Sequence, residues 1–253
     1  MRQIHWILAS DIDHTLTGDT QALERLGSQI ESLRRQNELA LFLTTGRTLD
    51  EVLTGFEKEN IPEADAIITQ VGTEIYTPPF SSEMTPLAEW DRFLRQQYSR
   101  EKAVGFVDDI EGAEIQSARY NTALKVSYFL DKAADPEQAV ARIRQRIAAE
   151  NKAYQVVWSS GIHLDILPAA SGKGKAIRFL IDYLDLDPEQ VIAAGDSGND
   201  RSMLEEFGCA IIVGNAQPEL AELRDRPDHA SFYFAESSFA AGVEEGLRHF
   251  GVL

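Results

Sequence analysis

The sequence predicts an α/β fold, with a core built on a parallel sheet and a smaller α+β domain inserted as a cap. Short apolar runs alternate with amphipathic helical patterns, which is typical of parallel sheets with crossover helices. Acidic and polar motifs follow directly after several of these runs, where ligands bind in such sheets. Prolines and serines in residues 77–86 then interrupt the alternation and indicate a linker into a separate unit.

The first half of the core is predicted from a strand, helix, strand, helix, strand pattern. The apolar run at residues 4–9 is the first strand, and an amphipathic helix follows it. Residues 39–43 form the second strand. Thr48 and Glu51 then make a capping-box pattern at the start of the next helix. Residues 66–68 form the third strand.

Residues 82–160 are predicted to be the cap, and residues 1–81 and 161–253 are predicted to be the core. Helical and strand patterns are mixed in the inserted region, which favours an α+β unit. Its expected elements are a helix from residue 87, a strand at 124–130, a helix from residue 136 and a hairpin of 154–158 with 162–167.

The core is predicted to resume after the hairpin. Residues 171–174 lead into an amphipathic helix, and two apolar runs at 191–194 and 210–213 are buried strands. A last helix is expected at about residues 239–249.

Composition disfavours several classes of partner and of site. The chain has 253 residues and a formal net charge of −17, which disfavours binding to nucleic acid or to an anionic membrane. Cys209 is the single cysteine, so neither an intramolecular disulfide nor a cysteine-based zinc site is expected. No apolar run approaches the ~20 residues of a membrane span, and no signal-peptide pattern is seen, so a cytoplasmic protein is expected.

Four groups of polar residues follow predicted strands or begin predicted helices. Each has an ordinary alternative, because an aspartate can cap a turn, a threonine can be a turn residue and most lysines are solvated. Their combination and order along the chain make these alternatives improbable. The groups are Asp11 with Asp13, Thr45, Lys173, and Asp196 with Asp200.

This order of motifs resembles the haloacid dehalogenase-like (HAD) phosphohydrolase superfamily over essentially the whole chain. A P-loop does not fit, because Leu167 stands where its first glycine should be and Gly174 follows Lys173. The resemblance implies a HAD-like Rossmannoid core. Because the insertion lies between Thr45 and Lys173, it also implies a cap of the second class (C2), built around an antiparallel sheet.

The resemblance implies a two-step phosphoryl transfer. Asp11 would attack phosphorus and form an aspartyl-phosphate, and Asp13 would protonate the leaving alcohol and then deprotonate the hydrolytic water. The implied cofactor is Mg²⁺, bound by Asp11, the backbone carbonyl of Asp13, and Asp196. His14 departs from the superfamily, in which glycine or asparagine is commoner at this position.

The remaining catalytic residues follow from the same resemblance. Thr45 and Lys173 would hold the phosphoryl oxygens and offset their developing charge. Asp200, Ser197 and Asn199 would position Lys173 and the water molecules around the metal.

A narrower resemblance is to sucrose-6-phosphate phosphatases and the related mannosylfructose-phosphate phosphatases. Both groups act on a non-reducing disaccharide that carries a phosphorylated fructose. The segments that resemble the first group are residues 72–76, 125–128, 159–161, 165–168 and 214–220. The likeness to the second group lies in Arg119–Tyr120 and residues 246–249.

Sugar recognition requires directional hydrogen bonds, and polar residues near the motifs are candidates to supply them. The alternatives are that Lys125 is a solvent-facing strand residue, that His163 is an ordinary exposed one, and that Asn215 caps a helix. The substrate-binding candidates are Gly46, Arg47, Thr73, Glu74, Lys125, His163, Asp165, Ser197, Asn199 and Asn215.

The resemblance therefore implies a Mg²⁺-dependent phosphatase of a small-molecule sugar phosphate, with sucrose 6-phosphate as the leading substrate. A mannosylfructose phosphate or another sugar phosphate is an alternative substrate. A phosphomutase, and a non-catalytic partner of a glycosyltransferase, are alternative functions. Association with a sugar-phosphate glycosyltransferase is a further expectation.

Overall fold

The computed structural model describes residues 4–150, 153–225 and 232–253. Its first part alternates strands and helices as predicted, with one additional strand. The elements are β1 (Trp6–Asp11), α1 (Thr20–Gln36), β2 (Leu39–Thr44), α2 (Leu49–Lys58), β3 (Ala66–Thr69) and β4 (Glu74–Tyr76).

The middle of the chain mixes helices with short strands. Of these elements, α4 and β5 were not predicted from the sequence. The elements are α3 (Ala88–Leu94), α4 (Arg100–Gly105), β5 (Glu114–Ile115), β6 (Val126–Phe129), α5 (Pro136–Ala149), β7 (Tyr154–Ser159) and β8 (His163–Pro168).

The last part returns to alternating helices and strands. It also contains a 3₁₀ helix at Pro218–Asp225. The other elements are α6 (Lys173–Tyr183), β9 (Val191–Gly195), α7 (Arg201–Leu204), β10 (Cys209–Ile212), β11 (Phe232–Phe234) and α8 (Phe239–His249).

A seven-stranded sheet forms the core, in the order β11-β10-β9-β1-β2-β3-β4. All neighbours are parallel except β3 and β4. The chain leaves β1 towards β2 and β3, and later returns to the other side of β1 as β9. This reversal makes the carboxyl ends of β1, β2 and β9 the switch point at which ligands bind in α/β sheets.

Helices cover both faces of this sheet, which explains why its strands are apolar without alternation. Ile7 of β1 lies in an apolar cluster with Trp90 of α3 and Leu180 of α6. Its neighbour Leu8 lies in a second cluster with Leu26 of α1 and residues of α2 and α8. The parallel α/β core with a separate smaller sheet confirms the predicted fold class.

The second sheet is antiparallel, with the order β5-β6-β8-β7. Leu164 and Ile166 on β8 are fully buried in a third apolar cluster with residues of α4 and α5. His163 and Asp165 alternate with them, so their side chains point to the opposite face. Strand β8 therefore has one apolar face and one polar face.

The pairing of β8 and the packing of α3 favour domain boundaries other than the predicted ones. Strand β8 pairs with β6 and β7, although residues 163–168 were assigned to the core. Helix α3 was assigned to the cap, but Trp90 packs in the core and its indole N–H donates to the carbonyl of Gly72 at 3.2 Å. The proline-rich stretch thus continues along the core before the chain leaves it. We propose cap boundaries at residues 98–168.

In the described ranges, no helix has the length and apolar character that crossing a membrane requires.

Candidate active site

A cavity of about 580 Å³ lies between the carboxyl ends of the core strands and the polar face of the cap sheet. Both domains contribute predicted site residues to its wall. Those from the core are Asp11, Asp13, Gly46, Arg47, Asp196, Ser197 and Asn199. Those from the cap are Lys125, His163 and Asp165.

The parallel register brings the core residues together. Asp11 ends β1 opposite Thr44 of β2, so Thr45 lies one residue beyond the same edge. Ser10 is opposite Ala194 of β9, and this places Asp196 beside Asp11. Motifs that are far apart in the sequence therefore meet because their strands are neighbours.

Lys173 links two buried aspartates. Its ammonium donates to Asp11 Oδ1 and to Asp200 Oδ1, both at 2.5 Å. Asp200 Oδ2 accepts the backbone N–H groups of Asp196 and Ser197, both at 3.0 Å. Asp200 thus has partners on both oxygens, and it positions Lys173 and the loop after β9 at the same time.

Burial and neighbouring charges shift the pKa values of the residues in this cluster. Burial first, and then the charge of Asp200, raises the pKa of Asp11 well above 3.8, although Lys173 opposes the shift. The same two causes raise the pKa of Asp196 to about 7. Burial alone would lower the pKa of Lys173, but Asp11 and Asp200 outweigh it and raise that pKa. Three carboxylates around a single ammonium leave an excess of negative charge that a cation would offset.

The donor set fits a hard divalent cation. Carboxylate oxygens of Asp11, Asp196 and Asp200 lie within 4.8 Å of one another, and all three residues are buried. Oxygen ligands of this kind suit Mg²⁺. Because the oxygens of Asp200 already have protein partners, Asp11 and Asp196 are the more available ligands. These carboxylates could therefore hold a metal ion.

Arg47 holds Asp13. Its guanidinium donates to Asp13 through Nη2 at 2.7 Å and Nε at 3.0 Å, and to Glu59 through Nη1 at 2.9 Å and Nη2 at 2.8 Å. Hydrogen bonds and the charges of both carboxylates overcome burial and raise the pKa of Arg47. Arg47 was predicted to bind substrate. Here its contacts orient Asp13, whose side chain is 49% exposed in the cavity.

Thr45 is fully buried behind this group. Its hydroxyl oxygen accepts the backbone N–H of Arg47 at 3.1 Å, and its own backbone N–H donates to Ile68 at 2.9 Å. These bonds fix the turn that carries Gly46 into the cavity wall.

The cap wall contains a buried polar cluster. Lys125 is only 2% exposed, so the alternative that it is a solvent-facing lysine is wrong. Its ammonium lies 3.7 Å from Asp165 Oδ1 and 5.7 Å from the centre of the Tyr120 ring. Ser127 also donates to Asp165 Oδ1, at 2.5 Å. A charged pair of this kind, open to the cavity, can bind hydroxyl groups directionally.

Three predicted substrate-binding residues do not line the cavity. Thr73 is buried and bonded within its own turn, and Glu74 accepts hydrogen bonds from hydroxyls of β3 and β4. Asn215 donates to the carbonyl of His14 at 2.7 Å and accepts the N–H of Phe239 at 2.8 Å. Asn215 therefore holds the loop after β1, where His14 has a φ of 61°, against the start of α8.

Several lining residues were not identified from the sequence as site residues. Gln116 and Tyr120 lie in the cap wall, and Gln116 Nε2 is 3.3 Å from Nδ1 of His163. Ser159 ends β7, and Ser160 follows it in the turn that leads to β8. Their sequence signal is the resemblance of residues 159–161 and of Arg119–Tyr120 to the sugar phosphatases.

Comparison with known proteins extends over the whole site. Residues 4–251 match the family of sucrose-6F-phosphate phosphohydrolases. The mannosylfructose-phosphate phosphatase of Agrobacterium fabrum is 33% identical over 97% of both chains. Sucrose-phosphatase 1 of Nicotiana tabacum is 28% identical over 97% of this chain and 59% of its own length.

The crystal structure of the sucrose-phosphatase of Synechocystis, in complex with sucrose and phosphate, has the same architecture. The two structures superpose with a TM-score of 0.88 at 33% identity, over 98% of this chain and 99% of that one. The family match, the identity and the shared fold agree with the cluster of Asp11, Lys173 and Asp200. The chain is therefore a phosphatase of the HAD superfamily, and it belongs to the sucrose-6F-phosphate phosphohydrolase family.

Proposed function

We propose that this phosphatase hydrolyses sucrose 6-phosphate to sucrose and inorganic phosphate. The observation that carries the proposal is one cavity that joins two different walls. One wall holds Asp11, which accepts a hydrogen bond from the buried Lys173 and suits a phosphoryl group. The other holds Lys125 with Asp165, which suits sugar hydroxyls.

The first step is the attack of Asp11 on phosphorus. A bond forms between its carboxylate oxygen and phosphorus while the bond from phosphorus to the sugar oxygen breaks. Lys173 offsets the charge that develops on the phosphoryl oxygens. Asp13 donates its proton to the departing sugar oxygen, and sucrose leaves.

The second step returns the enzyme to its starting state. Asp13, now a carboxylate, takes a proton from water, and the water oxygen attacks the phosphorus of the aspartyl-phosphate. The bond to Asp11 breaks and inorganic phosphate is released. The contact with Arg47 holds the Asp13 side chain at the cavity wall.

Mg²⁺ would be held by Asp11, the backbone carbonyl of Asp13, and Asp196, and would supply electrostatic stabilisation to the phosphoryl oxygens. Burial and the charge of Asp200 raise the pKa values of Asp11 and Asp196, because their ionised forms are disfavoured there. A bound cation would offset this negative charge, which supports the proposed metal site.

A second candidate substrate is a mannosylfructose phosphate, because the Agrobacterium relative named for it is 33% identical. Both compounds present a phosphorylated fructose, so the difference lies in the hexose that the cap would contact. A cytoplasmic location and an association with a glycosyltransferase stay predictions.

The test is a phosphate-release assay on sucrose 6-phosphate, mannosylfructose 6-phosphate, fructose 6-phosphate and glucose 6-phosphate, each with Mg²⁺ and with excess EDTA. We expect the highest kcat/KM on sucrose 6-phosphate, and no turnover in EDTA. Equal rates on the mono- and disaccharide phosphates would contradict the proposal, and full activity in EDTA would contradict the role of the metal.

A further inference from the structure

One core carboxylate joins the cap to the catalytic loop. Oε1 of Glu219, in the 3₁₀ helix Pro218–Asp225, accepts the backbone N–H of Ser160 at 3.0 Å and that of Gly198 at 2.9 Å. Ser160 lies in the turn between β7 and β8 of the cap. Gly198 lies in the loop after β9, between Asp196 and Asp200.

The turn and the loop are in close contact at this point. A side chain at Gly198 would begin 2.6 Å from the carbonyl oxygen of Trp158 and 3.0 Å from Glu219 Oε1. Only a glycine leaves room for the cap turn to approach the loop this closely. The glycine at position 198 therefore allows the cap turn and the loop after β9 to touch.

Both segments line the active-site cavity. Ser159 and Ser160 are on the cap side, and Ser197 and Asn199 are on the loop side. Among the residues that the structure describes, the buried amide oxygen of Asn199 has no hydrogen-bond partner, so this part of the wall has an unused acceptor. Movement of the turn away from the loop would widen the cavity beside Asp196.

We propose that Glu219 is a positioning residue of the phosphatase reaction. It fastens the cap turn to the loop after β9 and so holds the cap closed over the sugar. Asp196 itself is held by Asp200, so the phosphoryl chemistry does not depend on this contact. Hydrogen bonds to a carboxylate are stronger than those between neutral groups, which suits a contact that must hold two separate domains. The part of this inference that concerns turnover rests on the proposed function.

Three variants separate this role from a general effect on folding. Glu219→Ala removes the acceptor. Glu219→Gln keeps a carbonyl oxygen that can accept both N–H groups without the charge. The matched control is Glu222→Ala, which removes a carboxylate of the same 3₁₀ helix that pairs with Arg201 on the core.

The first experiment is amide hydrogen exchange measured by mass spectrometry or NMR. Glu219→Ala should accelerate exchange at Ser160 and Gly198 by about tenfold or more, while amides of β9 keep their protection. Glu219→Gln should restore most of the protection, and Glu222→Ala should leave it unchanged. Unchanged exchange at Ser160 and Gly198 in Glu219→Ala would overturn the proposal.

The second experiment compares a substrate that reaches the cap with one that does not. In Glu219→Ala, kcat/KM should fall by roughly 10–100-fold on sucrose 6-phosphate and by less than threefold on p-nitrophenyl phosphate, with recovery in Glu219→Gln. An equal loss on both substrates would overturn the coupling.

The two experiments also distinguish a failure of this proposal from a failure of the proposed function. If the wild-type protein does not hydrolyse sucrose 6-phosphate, the proposed substrate is wrong, and the sugar phosphate with the highest rate replaces it in the comparison. The exchange experiment requires no substrate and tests Glu219 in either case.

Discussion

The charged residues of the active site are mutually dependent because they are buried. Lys173 is fully buried between Asp11 and Asp200, and Asp196 is nearby. Taking such charges out of water costs several kcal/mol for each ion unless partners compensate. Changing one of these residues therefore alters both the chemistry and the electrostatic balance of the other three.

Asp11→Asn should abolish turnover without loss of stability. The amide has nearly the same shape but cannot attack phosphorus, and it removes a carboxylate whose pKa burial and Asp200 raise. Phosphate release should be undetectable, and the melting temperature should equal or exceed that of the wild type. Beryllium fluoride, which mimics an aspartyl-phosphate, should bind only the wild type. Substantial activity in the variant would remove Asp11 from the nucleophile role.

Lys173→Ala should lower kcat by three orders of magnitude or more, because no cation then offsets the phosphoryl charge. It should also lower the free energy of unfolding by about 3–5 kcal/mol, since Asp11 and Asp200 stay buried without their partner. The control is Lys175→Ala on the same helix, an exposed lysine bonded to the carbonyl of Ala169. A similar loss in both variants would point to damage of α6 instead.

Hydrogen bonds at the start of α2 and between α1 and α8 stabilise the core around the site. The capping box of Thr48 and Glu51 begins α2 as predicted, and Glu51 also accepts the phenol hydrogen of Tyr120 at 2.7 Å. Glu51 of the α2 capping box therefore also contacts Tyr120, a residue of the cap domain that lines the cavity. Farther from the cavity, Glu244 of α8 is bonded to Arg25 and Gln29 of α1 and joins the two helices behind the sheet.

Glu244 should make stability depend on pH in the acid range. Burial alone would raise its pKa, but hydrogen bonds from Arg248, Arg25 and Gln29 lower it from 4.5 to about 2. Because the folded pKa is depressed, the stabilisation is complete above about pH 4.5 and is lost as the pH falls towards 2. We expect about 1–2 kcal/mol, since both arginines are half exposed.

The measurement is urea unfolding of the wild type and Glu244→Gln between pH 2 and 7. The difference in unfolding free energy should be constant above pH 5 and should shrink below pH 4.5. The exposed Glu189, changed to Gln, is the control and should give a small difference throughout. A Glu244→Gln difference that grows towards low pH would have the wrong sign.

The two domains divide the work of recognition between them. The core supplies the phosphoryl chemistry at the switch point of its sheet, and the cap sheet turns its polar face towards that point. Closure of such a cavity excludes water and strengthens each polar contact inside it. Substrates that leave the polar groups of the cap unpaired should therefore be rejected.

Lys125→Met tests this division. Methionine keeps an apolar stem of similar length but removes the ammonium beside Asp165. We expect kcat/KM on the disaccharide phosphate to fall by roughly 10–100-fold, and activity on p-nitrophenyl phosphate to change much less. Lys132→Met removes an exposed lysine of the cap that pairs with Glu114 and is the control. Equal losses on the two substrates would exclude Lys125 from the specificity role.

Local patterns were sufficient for most elements of the fold. The apolar runs around β1, β2, β3 and β9, the capping box of α2 and the alternation along β8 depend on spacings of two to four residues, which the sequence displays directly. The motif residues Asp11, Thr45, Lys173 and Asp196 could be found for the same reason, since each lies beside an element that the pattern predicts. The resemblance to the HAD superfamily then indicated that these four residues belong to one active site.

Contacts between distant parts of the chain could not be obtained in this way. Whether β8 and α3 belong to the cap or to the core depends on which apolar surface covers them, and their amphipathic patterns suit either. The pairing of Arg47 with Asp13, of Asn215 with the carbonyl of His14, and of Glu219 with Ser160 joins residues that are 34, 201 and 59 positions apart. Local periodicity contains no information about such partners. Only the packing of the two sheets selects them, because a buried polar group must find its hydrogen bond wherever the completed fold provides one.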